Sequence, residues 1–208
     1  TDGEDGEELW VLRDCGGAAG PDAPCVLDKI PLPRIERPDR GRPRRIADIR
    51  PGAADSRPYG LTALGRSVIF QAYRDDVGTE LWRSDGTKAG TVLVRDIRPG
   101  KQSSDPYGFT RFKDGVVFQA NGGNGTELWM SDGTFEGTRL ARELASGEWG
   151  SYPEGFAVLG DVVLFAAWDP RHGVELWPSD GPEAGTTLLG DLNPNGDGAP
   201  AELTVPRL

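Results

Sequence analysis

The sequence predicts an all-β chain in which four-stranded antiparallel sheets repeat around an axis, the architecture of a β-propeller. Three observations predict it. A fourteen-residue stretch recurs at near-constant spacing, the apolar strands read as runs rather than strict alternations, and the longest link falls at the same point of every copy. Recurrence at a period of this size marks a repeat array. Runs of apolar residues mark sheets covered on both faces, as in stacked blades. A β-sandwich has no reason to place its long link at one point of each copy.

The recurring stretch is Gly78-Thr-Glu-Leu-Trp-Arg-Ser-Asp-Gly-Thr-Lys-Ala-Gly-Thr91. It returns as Gly125 to Thr138 and as Gly173 to Thr186, and in part as Gly6-Glu-Glu-Leu-Trp-Val-Leu-Arg-Asp14. Its tryptophans, Trp10, Trp82, Trp129 and Trp177, are separated by 72, 47 and 48 residues. Thr79 to Trp82 has the residues of a short strand, with Glu80 and Trp82 on one face. Ser-Asp-Gly-Thr then supplies a turn: Asp85, Asp132 and Asp180 can each accept from backbone N–H groups just ahead, and the following glycine can take a positive φ. Thr91 to Ile97 is the return strand. Repetition at one turn favours this structural role for the three aspartates over three acidic ligand sites.

These residues resemble the bacterial repeat family named for its motif ELWxxDGT. The likeness extends to Gly90-Thr-Val-Leu-Val-Arg-Asp-Ile-Arg-Pro-Gly100, to a Pro-containing stretch, and to a strand ending Phe-x-Ala at Val116-Val-Phe-Gln-Ala120. It covers the chain except for an insertion at 15–43. The resemblance implies propeller blades and a bacterial source; it carries no single activity and no catalytic residues.

Taken in order, residues 1–56 form a partial blade that contains the insertion. Blades follow at 57–104, 105–151 and 152–198, and 199–208 restarts a first strand, making one repeat domain over 1–208. Four-stranded units are expected at 58–97, 106–144 and 153–192. The two ends lack only a second strand between them, so a four-bladed ring closed by a composite blade and a segment of a larger ring both remain open. The insertion holds Cys15 and Cys25, the only two cysteines. Two thiols with no histidine nearby make a poor zinc site; a local disulfide is expected if the protein is exported, and free thiols are the alternative. The insertion's arginines, Arg34, Arg37, Arg40 and Arg42, read as a solvated run diluted by Glu36 and Asp39, with docking of an acidic partner as the other reading.

A net charge of −10 and the absence of any long apolar run argue against nucleic acid and membrane insertion as partners. Nineteen of the 23 basic residues are arginine, a bias that fits a high-GC bacterium. The expected location is outside the cell or on its surface.

Trp82, Trp129 and Trp177 are expected in the core between sheets rather than as a sugar-stacking platform. Their neighbours Glu80, Glu127 and Glu175 are expected half-buried, hydrogen-bonded or paired to arginine. His172 is the only histidine, and no nucleophile, phosphate-loop or zinc-protease motif accompanies it. One loop, Asp191 to Glu202, fits the calcium pattern D-x-[DN]-x-[DN]-G-x₅-E, with Asp191, Asn193, Asn195, Asp197 and Glu202 as ligands. The competing reading makes Asp191 the ordinary end-of-strand aspartate, as Asp48 and Asp96 are in other copies.

The function expected from all this is a secreted or surface-exposed binding or scaffolding module for protein partners, not an enzyme and without a certain cofactor. The alternative is a calcium-stabilised, carbohydrate-binding, adhesin-like domain. A glycosidase-type enzyme, by analogy with propellers alone, stands third. Self-association, or association with the rest of a larger chain, is also compatible with the sequence.

Overall fold

The computed structural model describes residues 10–11, 43–181, 183–198 and 200. Cys15, Cys25, Glu202, the insertion up to residue 42 and the restarting strand beyond Pro200 lie outside the described residues. The described chain is all-β, built from antiparallel sheets, with no α-helix among the described residues.

The first sheet joins β3 (Tyr59–Leu64), β4 (Ser67–Arg74), β5 (Gly78–Ser84) and β6 (Val92–Arg95) as a meander. The second repeats it with β7 (Tyr107–Phe112), β8 (Gly115–Asn121), β9 (Thr126–Ser131) and β10 (Arg139–Arg142). Registers correspond as well: Phe70 faces Trp82 across β4 and β5, as Phe118 faces Trp129 across β8 and β9. Upstream, β1 (Trp10–Val11) pairs with β2 (Arg44–Arg45), with Trp10 opposite Arg45.

The third sheet departs from the expected four strands. It has three, β11 (Glu154–Leu159), β12 (Val162–Asp169) and β13 (Gly173–Ser179). Pro178 explains the loss. It stands where Arg83 and Met130 pair with the fourth strand in the other sheets, and proline has no N–H to give to a ladder. What survives is one bridge from Ser179 to Thr186 and isolated bonds from Thr187 N–H to Pro178 O and Leu189 N–H to Leu176 O, at 3.4 and 3.2 Å.

The core lies between sheets. Val116, Phe118, Ala120 and Trp129 of the second sheet pack on Leu64, Ile69, Leu81, Val94 and Ile97 of the first. Val163, Phe165, Ala167 and Trp177 of the third pack in the same way on the second. On the other side of the first sheet, Ile46, Ala47 and Ile49 cover Val68, Phe70, Ala72 and Trp82. The central strands of the first two sheets are thus apolar on both faces because both are covered. The first strands of successive sheets, β3, β7 and β11, lie side by side.

Candidate functional site

Where the three first strands converge, an open groove of about 370 Å³ is lined by Tyr59, Leu61, Tyr107, Phe109, Gln119 and Glu154, among others. Each strand enters it through one repeated string: Ser56-Arg57-Pro58-Tyr59-Gly60, Ser104-Asp105-Pro106-Tyr107-Gly108 and Ser151-Tyr152-Pro153-Glu154-Gly155. The glycines have φ of 71°, 75° and 67°, which L side chains rarely adopt. Space matters too: a Cβ on Gly60 would stand 2.7 Å from a ring carbon of Phe109, and one on Gly108 3.1 Å from Phe156. Hydroxyls of Thr62 and Thr110 donate to the Gly60 and Gly108 carbonyls, both at 3.1 Å, and tie the bend to the strand.

The bend leaves the tyrosines half in solvent. Tyr59 is 54% exposed and Tyr107 50%. Their rings stack with centroids 5.8 Å apart and planes within 7°, and the Tyr59 hydroxyl pushes the Tyr107 phenol above the usual tyrosine range. The third strand offers the exposed carboxylate of Glu154 at the equivalent position.

What aims these strands is a buried carboxylate. Glu80, fully buried beside Trp82, accepts from Ile97 N–H (2.8 Å) and the Ser104 hydroxyl (2.6 Å) on one oxygen, and from Ser104 N–H (3.0 Å) and Arg98 N–H (3.4 Å) on the other. Glu127 repeats the set with Leu144, Ala145 and Ser151. Among the described residues, Glu175 accepts from Leu192 N–H and Gly198 N–H, at 3.1 and 2.9 Å. Of the expectation that these glutamates are half-buried and either hydrogen-bonded or paired to arginine, the hydrogen bonds hold and the half-burial is corrected: all three are interior, bonded to the link that follows. Burial pushes Glu80 up to about 7, against the pull of its four donors, and raises Glu127 in the same way.

Clamping Ser104 and Ser151 fixes the next residue in an uncommon conformation. Arg57, Asp105 and Tyr152 have φ of 49°, 46° and 46°, each immediately before a proline. Residues in that setting normally avoid helical backbone of either hand. Asp105 N–H and Tyr152 N–H are held by Thr79 O and Thr126 O, at 3.3 and 3.1 Å.

The turn aspartates act locally. Asp85 Oδ1 accepts from the Thr87 N–H and hydroxyl at 2.9 and 2.7 Å, and Asp132 does the same with Thr134 at 2.8 and 2.7 Å. Those threonine hydroxyls, more than offsetting burial, hold both carboxyls below the usual range. The third turn has proline at 182 in place of the threonine; there the Asp180 N–H donates to Gly185 O at 3.3 Å. Trp82, Trp129 and Trp177 are buried between sheets. Trp10 sits in β1.

In the calcium-pattern loop the polar groups bond to one another and to the sheet. Asp197 Oδ1 accepts from Val174 N–H (2.9 Å), Asn193 Nδ2 donates to Asp197 O (3.0 Å), and Asn193 Oδ1 accepts from Asn195 N–H (3.4 Å). The main-chain carbonyl of Asp197, one of the expected ligand residues, thus faces the donor end of the Asn193 amide. No group of three or more His, Cys, Asp or Glu residues converges on a metal position among the described residues. His172 Nδ1 lies 2.8 Å from Asp169 Oδ2. Burial pushes Asp169 up, but this ring and the N–H groups of Arg171 and His172 outweigh it and hold the carboxyl low.

The groove tyrosines are the feature that the sequence reading passed over. The threefold Pro-x-Gly string was the available signal. No family model matches the chain, and no curated protein is significantly similar to it.

Proposed function

We propose that this chain belongs to a secreted or surface-displayed bacterial β-propeller of the ELWxxDGT repeat type and serves as a binding module for protein partners. One observation carries the reading: the stacked, half-exposed pair Tyr59–Tyr107 on the groove where the first strands converge. Tyrosines on rigid backbone supply large contact area at little entropic cost, which is why they recur as binding hot spots. Glu154 beside them favours a partner segment that presents a basic residue next to an apolar one. The propeller itself is supported by the face-to-face stacking of successive sheets and by the adjacency of β3, β7 and β11.

A second reading, carbohydrate binding, is favoured by the same parallel rings flanked by the Gln119 amide and the Glu154 carboxylate, since sugars stack on aromatic faces and direct hydroxyls to such groups. A glycosidase would use two carboxylates about 5–10 Å apart; among the described residues that line the groove, Glu154 is the only carboxylate.

The test is selection of a displayed random-peptide library on the immobilised protein, with a glycan array run in parallel with and without chelator. Tyr59→Ala and Tyr107→Ala should abolish enrichment, whereas Arg66→Ala, in the turn that follows the far end of β3, should leave it intact. Tyrosine-dependent signal on the glycan array alone would replace the protein-partner reading with the carbohydrate one. Signal indifferent to both tyrosines would end the groove hypothesis.

A further inference from the structure

The third sheet leaves bare a face that is covered in the other two. Five positions show it. Leu64, Ile69, Leu81, Val94 and Ile97 of the first sheet are all 7% exposed or less, packed under the second sheet. Their counterparts at the far side of the third are Leu159, Leu164, Leu176, Leu189 and Leu192. Of these, Leu159, Leu189 and Leu192 are 56%, 60% and 61% exposed, and Leu164 and Leu176 are only partly buried. Isolated surface leucines are ordinary, but a whole face that repeats a buried one is not.

Two sockets specify what fits this face. Leu64 lies against the turn glycine of the second sheet, where a Cβ on Gly133 would be 2.9 Å from it; Phe112 lies against Gly181 of the third, 3.9 Å from such a Cβ. Leu159 is the next knob in this series. In the reverse direction, Phe109 caps Gly60 and Phe156 caps Gly108, while a Cβ on Gly155 would meet nothing within 4 Å. A complementary body must therefore carry a Ser-Asp-Gly turn for Leu159, a bulky apolar residue on its first strand for Gly155, and a Val-x-Phe-x-Ala strand beside a tryptophan.

We propose that this face docks one further complete unit of the same repeat, entered through the Asp191–Gly198 link. The link already makes the bonds that deliver a first strand elsewhere. Gly198 N–H reaches Val174 O at 2.9 Å and Glu175 Oε1 at 2.9 Å, as Ser104 N–H reaches Thr79 O at 3.1 Å and Glu80 Oε1 at 3.0 Å. The partial copy near the start of the chain does not meet the requirements: its string Leu12-Arg13-Asp14 stands where the turns have Ser-Asp-Gly. A second copy of this chain does not meet them either. The matching faces on its first three sheets, such as Val68, Phe70, Ala72 and Trp82, are already covered. The inference is independent of what the groove binds.

The experiment joins residues 106–151 after Ala199 in place of 200–208, and compares this fusion with the original chain by thermal melting and size exclusion. Leu159→Asp and Leu189→Asp are made in both. The fusion should melt higher, and each substitution should lower its midpoint by about 5 °C or more while shifting the original chain by less than about 2 °C. Equal effects in both proteins would overturn the proposal. So would a dimer of the original chain that Leu189→Asp converts to monomer, which would make a second copy the occupant. A face already protected in the original chain, and exposed to a hydrophobic dye on deletion of 200–208, would assign it to that segment and overturn the proposal as well.

Discussion

The Glu80 carboxylate accepts both the N–H and the hydroxyl of Ser104, at 3.0 and 2.6 Å, across 24 residues of chain. Ser104 precedes the strained Asp105, the proline and then Tyr107, so this contact connects the repeat motif to the groove. The motif's glutamate sits at the junction between units, and the junction sets where the next strand begins.

Ser104→Ala removes the hydroxyl donor from a buried carboxylate oxygen and should cost about 1–3 kcal/mol in urea unfolding. Ser151→Ala should cost a similar amount. In a double-mutant cycle, Ser104→Ala and Glu80→Gln should fall short of additivity, because both weaken the same contact. Strict additivity would deny the coupling.

Stability should also depend on pH through these glutamates. The folded value for Glu80, about 7, lies above the 4.5 of an ordinary glutamate, and Glu127 moves the same way. The contribution of a group raised in this way is fully present below about pH 4.5 and is lost as pH rises to about 7, by at most ~3 kcal/mol for Glu80. Asp85, Asp132 and Asp169 have depressed values, so their contributions are lost only as pH falls below the usual aspartate range. Unfolding free energy measured from pH 4.5 to 7.5 should decline, and Glu80→Gln should flatten the decline. A rise in wild-type stability across that interval would contradict the assignment.

Gly60→Ala and Gly65→Ala separate two costs. Both glycines have positive φ, 71° and 60°, but a Cβ at 65 meets nothing within 4 Å while one at 60 meets Phe109. Gly65→Ala should cost about 1–2 kcal/mol from backbone conformation alone. Gly60→Ala should cost at least about 1 kcal/mol more, and it should weaken any ligand that depends on Tyr59. Equal costs would mean that Phe109 moves aside freely.

Asp197→Ala should lower the melting midpoint through loss of the Val174 bond, by the same amount in millimolar calcium and in chelator. Asp191→Ala should leave any calcium response unchanged. A midpoint that rises with calcium in the wild type and not in Asp191→Ala would instead establish the calcium reading of this loop.

The sheets were legible because each strand repeats as a string: Val-x-Phe-x-Ala and Glu-Leu-Trp recur with turn residues at fixed offsets, so a local ambiguity in one copy is settled by its neighbours. The missing fourth strand was legible in principle from Pro178, but the strength of the repeat pattern outweighed one residue. The depth of Glu80 was misjudged for a different reason. A carboxylate alternating with tryptophan suggests a partly wet site, and its donors are backbone groups of a link whose path the sequence does not disclose. The groove was harder still, since Tyr59 and Tyr107 meet only because two sheets stack, and no local pattern encodes a distance between sheets.

The left-handed residues before the three prolines have one more consequence. Arg57, Asp105 and Tyr152 share a backbone conformation and solvent exposure but not chemistry: one is cationic, one anionic, one aromatic. The neighbouring serine holds the main chain there whatever side chain follows. Such positions work like interchangeable type in a fixed frame. An array of this kind can change the chemistry it displays, one residue per unit, without altering the frame that displays it.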